Sequence, residues 1–431
     1  MMDRRDFLKL AAFSGMSVLT PNLLADQNGG ALYTEGLFFI NVFAGGGWDV
    51  TMFCDPKGHI DGGLSQEYQT GDIQSTGNIS YAPPTPNFPA NNNQHFFEKY
   101  ASELLIVNGI DTTTNAHLAG TRYAATGNLQ STSYPSFAAL YAATKSDGNS
   151  LPLGYLSYGS VYANTANLLP VSRLQDVDSL RRLVDTNVHR EGARFRSEFS
   201  TQRVAEALKK QNEKQTKAQF HPRTKRNMAT LYTAQLSARK LKELSRHLPA
   251  TLPESPFERQ IVLSLAACAA GICISADLEL GGFDSHDNNE ARQSVLLDEY
   301  TKGIELLLER AETLNIRERV LVMMTSEFSR TPVYNTTGDQ IGKDHWPVNS
   351  AMFIGPGVPG NKVVGQTTEG HFAMGFDPAN HVAIPYVEDQ TLRITPRHIS
   401  ESLRKFTGIS TSENAKKFAL KDGDVIDIFQ A

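Results

Sequence analysis

The chain has few cysteines, and they are poorly placed for cross-linking. Its 431 residues include only Cys54, Cys268 and Cys273, without the close paired spacing of a cysteine metal motif. A disulfide framework is therefore not expected, even in an oxidising compartment. With 40% apolar and 20% charged residues, the chain is long enough for one large or two ordinary domains with sizeable hydrophobic cores.

An excess of one charge is also lacking. The sequence has 41 lysines and arginines against 46 aspartates and glutamates, which gives a formal net charge of −5. A balance this even creates no broad field that would attract nucleic acid or an anionic membrane surface. No nucleic-acid partner is expected, and other partners must be inferred from specific sites.

No hydrophobic run is long enough for a membrane span. The N-terminal segment MMDRRDFLKLAAFSGMSVLTPNLLADQ has Arg4 and Arg5 ahead of a short apolar stretch that hydroxyl residues and Pro21 interrupt. A span requires roughly 20 apolar residues. The segment resembles a twin-arginine export signal. Residues 1–25 are therefore predicted to be a cleaved signal, and the twin-arginine export machinery would deliver the protein to the periplasm or the outside of the cell.

Several short apolar segments are typical of buried strands. They lack strict alternation, end in turns rich in Gly, Asp or Ser, and are separated by helical segments. This arrangement predicts an α/β domain over residues 32–431, with a mostly parallel sheet flanked by helices. The predicted strands are Leu37–Phe43, Leu104–Asn108, Cys273–Leu280, Val320–Thr325 and Ala351–Gly355.

Two helices and one insertion complete the predicted organisation. Apolar residues from Leu297 to Ala311 recur at three- and four-residue spacing, which indicates an amphipathic helix. A second helix is predicted to begin after Thr395, with Pro396 in its first turn. Residues from about 171 to 250 are highly charged with a helical pattern, which predicts a solvated helical insertion that could also cap a site.

Polar clusters follow the predicted strands, and one lies just ahead of the last strand. Strand ends at the carboxyl edge of an open parallel sheet are where ligands gather. Carboxylates and imidazoles are the ligands of zinc, and such mixed sets also suit manganese or iron, whereas calcium prefers oxygen alone. The sequence therefore predicts a divalent-metal site, with zinc the leading choice. The candidate residues are Asp49, His117, Asp284, His286, Glu327, Arg330, Asp344 and His345.

Each cluster also has a plain structural interpretation. An aspartate in a glycine turn, such as Asp49, is more often a turn or cap residue than a ligand. His117 could simply begin a helix, and His345 could pack against Trp346. The metal hypothesis depends on all the clusters meeting at one place.

Five segments together resemble the superfamily of alkaline phosphatases, sulfatases and cofactor-independent phosphoglycerate mutases. They are FDSHDNN, the helix LLDEYTKGIELLLE, the strand VLVMMTSEF, GKDHWPVNSAMFIGPGV and ITPRHISESLRKFTGI. Within that superfamily, GGFDSH, SEFSRTP and GKDHWP with the twin-arginine start resemble the exported family catalogued as domain of unknown function 1501. The resemblance covers most of the mature chain outside the insertion.

The resemblance implies two metal positions. Asp284, His286 and His345 would hold one ion, with Asp344 as an additional or outer ligand. Asp49 and Glu327 would hold a second. The superfamily usually has Asp-His where this chain has Glu327 followed by phenylalanine, so one imidazole is missing from the second position.

The resemblance also implies a reaction. At the nucleophile position, the start of the helix after the second strand, this chain has His117, with Thr114 as the fallback hydroxyl. Arg330 would neutralise the transferring anion. The expected function is a metal-dependent hydrolase acting on a phosphate or sulfate ester of a small molecule or glycan. The alternative is a degenerate member that binds a glycan or partner protein in the cell envelope without turnover.

Overall fold

A computed structural model describes most of the chain. It covers residues 32–59, 68–84, 92–146, 151, 153–159, 161–172, 243–249, 251–335, 341–420 and 425–430, with isolated positions between 197 and 214. The signal predicted at residues 1–25 and most of the insertion predicted at about 171–250 lie outside the described residues. Across the described ranges, none of the helices combines the length and apolar character needed to cross a membrane.

The described strands fall into one large sheet and three small pairs. In chain order they are β1 Phe38–Gly45, β2 Gln74–Thr76, β3 Ile79–Tyr81, β4 Leu105–Asp111, β5 Tyr155–Ser157, β6 Ser275–Gly281, β7 Val320–Thr325, β8 Ser329–Arg330, β9 His345–Trp346, β10 Val348–Ile354, β11 Lys362–Val364, β12 Gly375–Asp377 and β13 Val382–Ile384. The large sheet has the order β11-β4-β10-β7-β1-β6-β5. The pairs are β2 with β3, β8 with β9 and β12 with β13.

The large sheet is mostly parallel, as predicted. Strand β1 runs parallel to both β6 and β7, and β5 and β11 run parallel to their neighbours. Strand β10 is the exception, because it is antiparallel to both β4 and β7. The start of β10 therefore lies at the same edge as the carboxyl ends of β1, β4, β6 and β7.

Helices cover both faces of the sheet. Residues of β1 alternate between the two faces, as expected of a strand in a sheet buried on both sides. Phe38, Ile40 and Val42 belong to one buried apolar cluster, and Phe39 belongs to the other, with Phe137. The helices with bounds in the described residues are α1 Asn93–Tyr100, α2 His117–Thr126, α3 Phe137–Lys145, α4 Pro256–Ala269, α5 Asn289–Thr313, α6 Pro396–Phe406 and α7 Glu413–Lys417.

The two predicted helices are confirmed. Helix α5 extends beyond the predicted apolar repeat at both ends, and it packs on the first apolar cluster through Leu297, Tyr300 and Ile304. Helix α6 begins after Thr395, with Pro396 in the first turn. His398 closes the cap, because its Nδ1 accepts the Thr395 N–H at 3.0 Å.

Candidate metal centre

Four of the predicted side chains converge at the carboxyl edge of the sheet. Asp284 is at the centre, with its Oδ1 3.0 Å from His286 Nε2 and 3.2 Å from His345 Nε2. Its Oδ2 is 3.5 Å from His117 Nε2. The Nε2 atoms of His286 and His345 are 3.0 Å apart. These side chains are 20 to 47% exposed, so a small molecule can approach from solution.

Different elements bring these residues together. His117 is the first residue of α2, which follows β4. Asp284 and His286 come directly after β6, and His345 lies in β9, just ahead of β10. Because β10 is antiparallel, the segment before it reaches the edge at which the parallel strands end. The topology of the sheet therefore explains why residues that follow parallel strands can meet a residue that precedes β10.

The three imidazoles share one orientation. In each ring Nδ1 faces an oxygen that can only accept a hydrogen bond, so Nδ1 carries the proton and the neutral ring has its lone pair on Nε2. The acceptors are Glu327 Oε1, 2.8 Å from His117 Nδ1, Asp344 Oδ1, 2.9 Å from His286 Nδ1, and the carbonyl oxygen of Asn115, 2.7 Å from His345 Nδ1.

This orientation fits a divalent metal. The inward atoms are lone pairs and a carboxylate, and such acceptors repel at close range unless a proton or cation lies among them. One ligand atom each from His117, Asp284 and His345 lies within 4.8 Å of the other two. Imidazole nitrogens whose other N–H is donated outward, together with a carboxylate, are a typical ligand set for zinc and related transition metals. Calcium fits less well because it prefers oxygen.

The pKa shifts in the cluster favour the ligand forms of two of its groups. Burial acts to raise the pKa of Asp284, but the hydrogen bond and the charge of Arg330 act against it, and that pKa is held below its ordinary value. Burial lowers the pKa of His345. The hydrogen bond to Glu327 raises the pKa of His117. At neutral pH Asp284 is therefore ionised and His345 neutral, as metal binding requires.

The glycine turn after β1 forms the floor of the site. Gly46 has φ +119° and Gly47 has φ +91°, a region that favours glycine. A Cβ on Gly46 would lie 2.4 Å from the backbone nitrogen of Asp284. A Cβ on Gly47 would lie 2.7 Å from the ring of Phe328. Only glycine allows the loop to pass this close beneath the cluster.

Arg330 does not have the role that the sequence suggested. We expected it to neutralise a transferring anion, but it is fully buried. Its Nε donates to the carbonyl of Gly47 at 2.9 Å, its Nη1 to that of Lys343 at 3.2 Å, and its Nη2 to the carbonyl of Gly46 and to Asp284 Oδ1, the latter at 2.9 Å. The guanidinium is committed to the loop and to Asp284. Arg330 is thus a positioning residue that orients the central carboxylate.

The two residues expected to hold a second metal, Asp49 and Glu327, have different partners in the structure. Glu327 reaches the cluster, but as the hydrogen-bond partner of His117. Asp49 is fully buried, and its Oδ2 lies 2.8 Å from Lys343 Nζ. The sequence places Asp49 and Glu327 after neighbouring strands but gives no sign that a lysine would neutralise one of them.

Asp344 and His117 lie where the sequence placed them. Asp344 contacts His286 from outside the cluster and its side chain is 59% exposed, in keeping with the outer role allowed for it. His117 begins α2. The fallback hydroxyl of Thr114 accepts the N–H of Ala116 at 3.3 Å in the turn ahead of that helix.

Sequence reasoning missed three contributors to the site. Lys343 stands within the GKDHWP motif, but its role depends on the fold. Phe328 is buried, and its ring lies 4.9 Å from that of His117 and 4.5 Å from that of His345, centroid to centroid. Asn115 contributes only its carbonyl, for which no residue type is a signal.

The fold and the site together define an α/β domain with a histidine-rich acidic cluster at the carboxyl edge of its sheet. Residues 39–383 match the model of the family described as "Protein of unknown function (DUF1501)". The chain belongs to that family. No curated protein sequence matches it.

Several solved structures are similar to the chain at low identity. Ps i-CgsB is 10% identical with a TM-score of 0.40, and the match covers 92% of this chain and 76% of that one. The lipoteichoic acid synthase LtaP from Listeria monocytogenes is 10% identical with a TM-score of 0.37, over 98% and 81%. A histidine mutant of TAB5 alkaline phosphatase with bound Mg is 11% identical with a TM-score of 0.31, over 76% and 95%.

Proposed function

We propose that the protein is a metal-dependent hydrolase that acts on phosphate or sulfate esters of small molecules or glycans. The observation that carries the proposal is the orientation of three imidazole Nε2 atoms around the carboxylate of Asp284, with each Nδ1 hydrogen-bonded outward. We also propose that the twin-arginine segment with Arg4 and Arg5 directs export to the periplasm or beyond the cell.

The metal would be held by His117, Asp284, His286 and His345, with zinc as the leading choice and manganese or iron as alternatives. A divalent ion in such a site supplies Lewis-acid polarisation of an ester oxygen and lowers the pKa of bound water. The chain itself fixes the geometry. Arg330 orients Asp284 from below, and the outward bonds hold the three rings.

The structure also limits which side chains can act as the nucleophile. In the described part of the chain, no serine or threonine hydroxyl hydrogen-bonds to any of the four cluster side chains. The Thr114 hydroxyl is engaged with the turn before α2. We therefore assign no side-chain hydroxyl as the nucleophile, and His117 acts as a ligand held by Glu327.

Asp284→Asn tests the proposal because it keeps the side-chain shape and removes the central charge. The exported protein is purified, its metal content is measured by elemental analysis, and cleavage of p-nitrophenyl phosphate and sulfate is followed. Asp284→Asn is expected to lose both metal and cleavage.

Asp287→Asn is the matched control. It lies in the same loop, its side chain is 56% exposed, and it pairs with Arg292 rather than with the cluster. It is expected to keep both properties. Wild-type protein without metal would overturn the proposal, as would equal cleavage by wild type and Asp284→Asn.

The second candidate function is a binding protein without turnover. The buried state of Arg330 favours it, because among the described residues no exposed arginine then lies at Asp284 to meet a transferring anion. If metal is present but neither ester is cleaved, and Asp284→Asn abolishes capture of envelope glycan or protein, this second function replaces the first.

A further inference from the structure

Asp49 is fully engaged by donors inside the protein. Its Oδ2 accepts from Lys343 Nζ at 2.8 Å and from Asn289 Nδ2 at 3.0 Å. Its Oδ1 accepts from the hydroxyl of Thr51 at 2.6 Å and from the N–H of that residue at 3.1 Å. Both oxygens therefore have two donors each, which is about the full capacity of a carboxylate.

Lys343 is held in place at both its backbone and its ammonium. Its N–H donates to the carbonyl of Ser285 at 3.2 Å, and its own carbonyl accepts from Arg330. Its Nζ also lies 5.1 Å from the ring centroid of Tyr334, a cation–π contact. The side chain is fully buried, so the ammonium cannot leave Asp49 without disrupting the loop.

The charges at Asp49 are balanced without a metal. Burial acts to raise the pKa of Asp49, but the charge and hydrogen bond of Lys343 outweigh it and leave that pKa below its ordinary value. A divalent ion at this carboxylate would have to displace a buried ammonium or lie beside it, and like charges repel strongly where water is excluded.

Glu327 is also committed elsewhere. Its Oε1 accepts from His117 and, at 3.0 Å, from the N–H of Gly46. Its Oε2 lies 2.9 Å from the Ser326 hydroxyl, whose single proton is shared with the carbonyl oxygen of Ala44 at 2.6 Å. Of the two carboxylates that the sequence suggested for a second ion, Asp49 is therefore filled by internal donors, and Glu327 is held against His117 and Gly46.

We infer that the protein binds one divalent ion per chain and that Lys343 is the permanent cation at Asp49, in place of a second metal. This inference rests on the proposed function for the first ion. One segment, residues 342–345, would then supply both the built-in cation and the ligand His345.

Zinc titration of the full-length protein tests the inference. The metal-free protein is titrated with zinc chloride against a chromogenic chelator, and the bound zinc is counted by elemental analysis. Wild type is expected to bind one equivalent. Asp49→Asn is also expected to bind one equivalent, with a Kd within about threefold of wild type. Removal of a residue that hydrogen-bonds a metal ligand would weaken binding by roughly 10-fold or more. A second equivalent in wild type that disappears in Asp49→Asn would overturn the inference.

Thermal melting in excess chelator provides a test that does not depend on the first ion. Asp49→Asn, Lys343→Met and the double variant are compared with wild type. A buried pair predicts that each single variant lowers Tm and that the double variant falls by less than the sum, because neither charge is left unpaired. Additive losses would overturn the assignment of Lys343. If wild type takes up no zinc, the proposed function fails, and this cycle still decides the pairing.

Discussion

At the scale of single residues, the orientation of the rings is more informative than their number. A histidine beside an aspartate is common in a folded protein, but here three rings turn the same nitrogen toward one carboxylate. The residue types and the four converging positions could be predicted, because three of them follow predicted strands in the sequence and His345 lies just ahead of another. The roles of Lys343 and Arg330 could not, because the partner of a buried charge is set by tertiary packing rather than by spacing.

Glu327→Gln should weaken metal binding without removing a ligand. The amide keeps the size of Glu327, but it can turn a donor toward His117 Nδ1 and no longer stabilises the ring by its charge. We expect zinc affinity to fall about 10- to 100-fold, the usual effect of losing an outer-shell carboxylate. A chelator competition assay measures it.

Asp344→Asn provides a comparison for Glu327→Gln at an exposed position. It makes the same change at His286, but the Asp344 side chain is 59% exposed whereas that of Glu327 is 3% exposed. Water can replace part of the lost interaction at the exposed position, so a smaller effect is expected there. A loss of zinc affinity in Asp344→Asn that equals or exceeds the loss in Glu327→Gln would contradict the larger role assigned to the buried Glu327.

At the scale of elements, the central strands were predictable and the edge strands were not. The prediction Val320–Thr325 coincides with β7, because a fully buried strand is a continuous apolar run. Strands β5 and β11 have three residues each, which is too short for a periodic signal. The antiparallel direction of β10 was not predicted, since an apolar run carries no information about strand direction.

The turn at Gly46 should not tolerate a side chain. Gly46→Ala would place a Cβ 2.4 Å from the backbone nitrogen of Asp284 at a φ of +119°. We expect destabilisation by about 1–3 kcal/mol together with weaker metal binding, because the loop carrying Asp284 must shift. Urea denaturation and zinc titration measure the two effects.

Gly71→Ala is the control for the turn. Nothing lies within 4 Å of a Cβ built on Gly71, so stability and zinc affinity should stay close to wild type. If Gly46→Ala kept the stability and zinc affinity of wild type as this control should, the glycine turn could not pass as close to Asp284 as described.

At the scale of the whole molecule, the large sheet contains a buried acid without a cation among its hydrogen-bond partners in the described residues. Asp277 of β6 accepts from Tyr155 Oη at 2.5 Å and from Asn41 Nδ2 at 2.9 Å. Burial raises its pKa to about 6, against the lowering effect of these bonds. Among the described residues, Asn41 Oδ1 has no hydrogen-bond partner. A protonated Asp277 could donate to that oxygen after rotation of the Asn41 amide, so the network suits the neutral acid better than the carboxylate.

The stability of the protein should therefore depend on pH through Asp277. Because its pKa rises from 3.8 in the unfolded chain to about 6 in the folded one, the folded state holds this proton more tightly. The resulting contribution to stability is present in full below about pH 3.8 and is lost as the pH rises through about 6. Asp277→Asn does not titrate and can pair with both Tyr155 and a rotated Asn41. It should be more stable than wild type at pH 8, by at most about 3 kcal/mol, and the difference should shrink toward pH 5. Chemical denaturation of both proteins at the two pH values measures it, and a difference that is constant or larger at pH 5 would show that Asp277 does not titrate in this range.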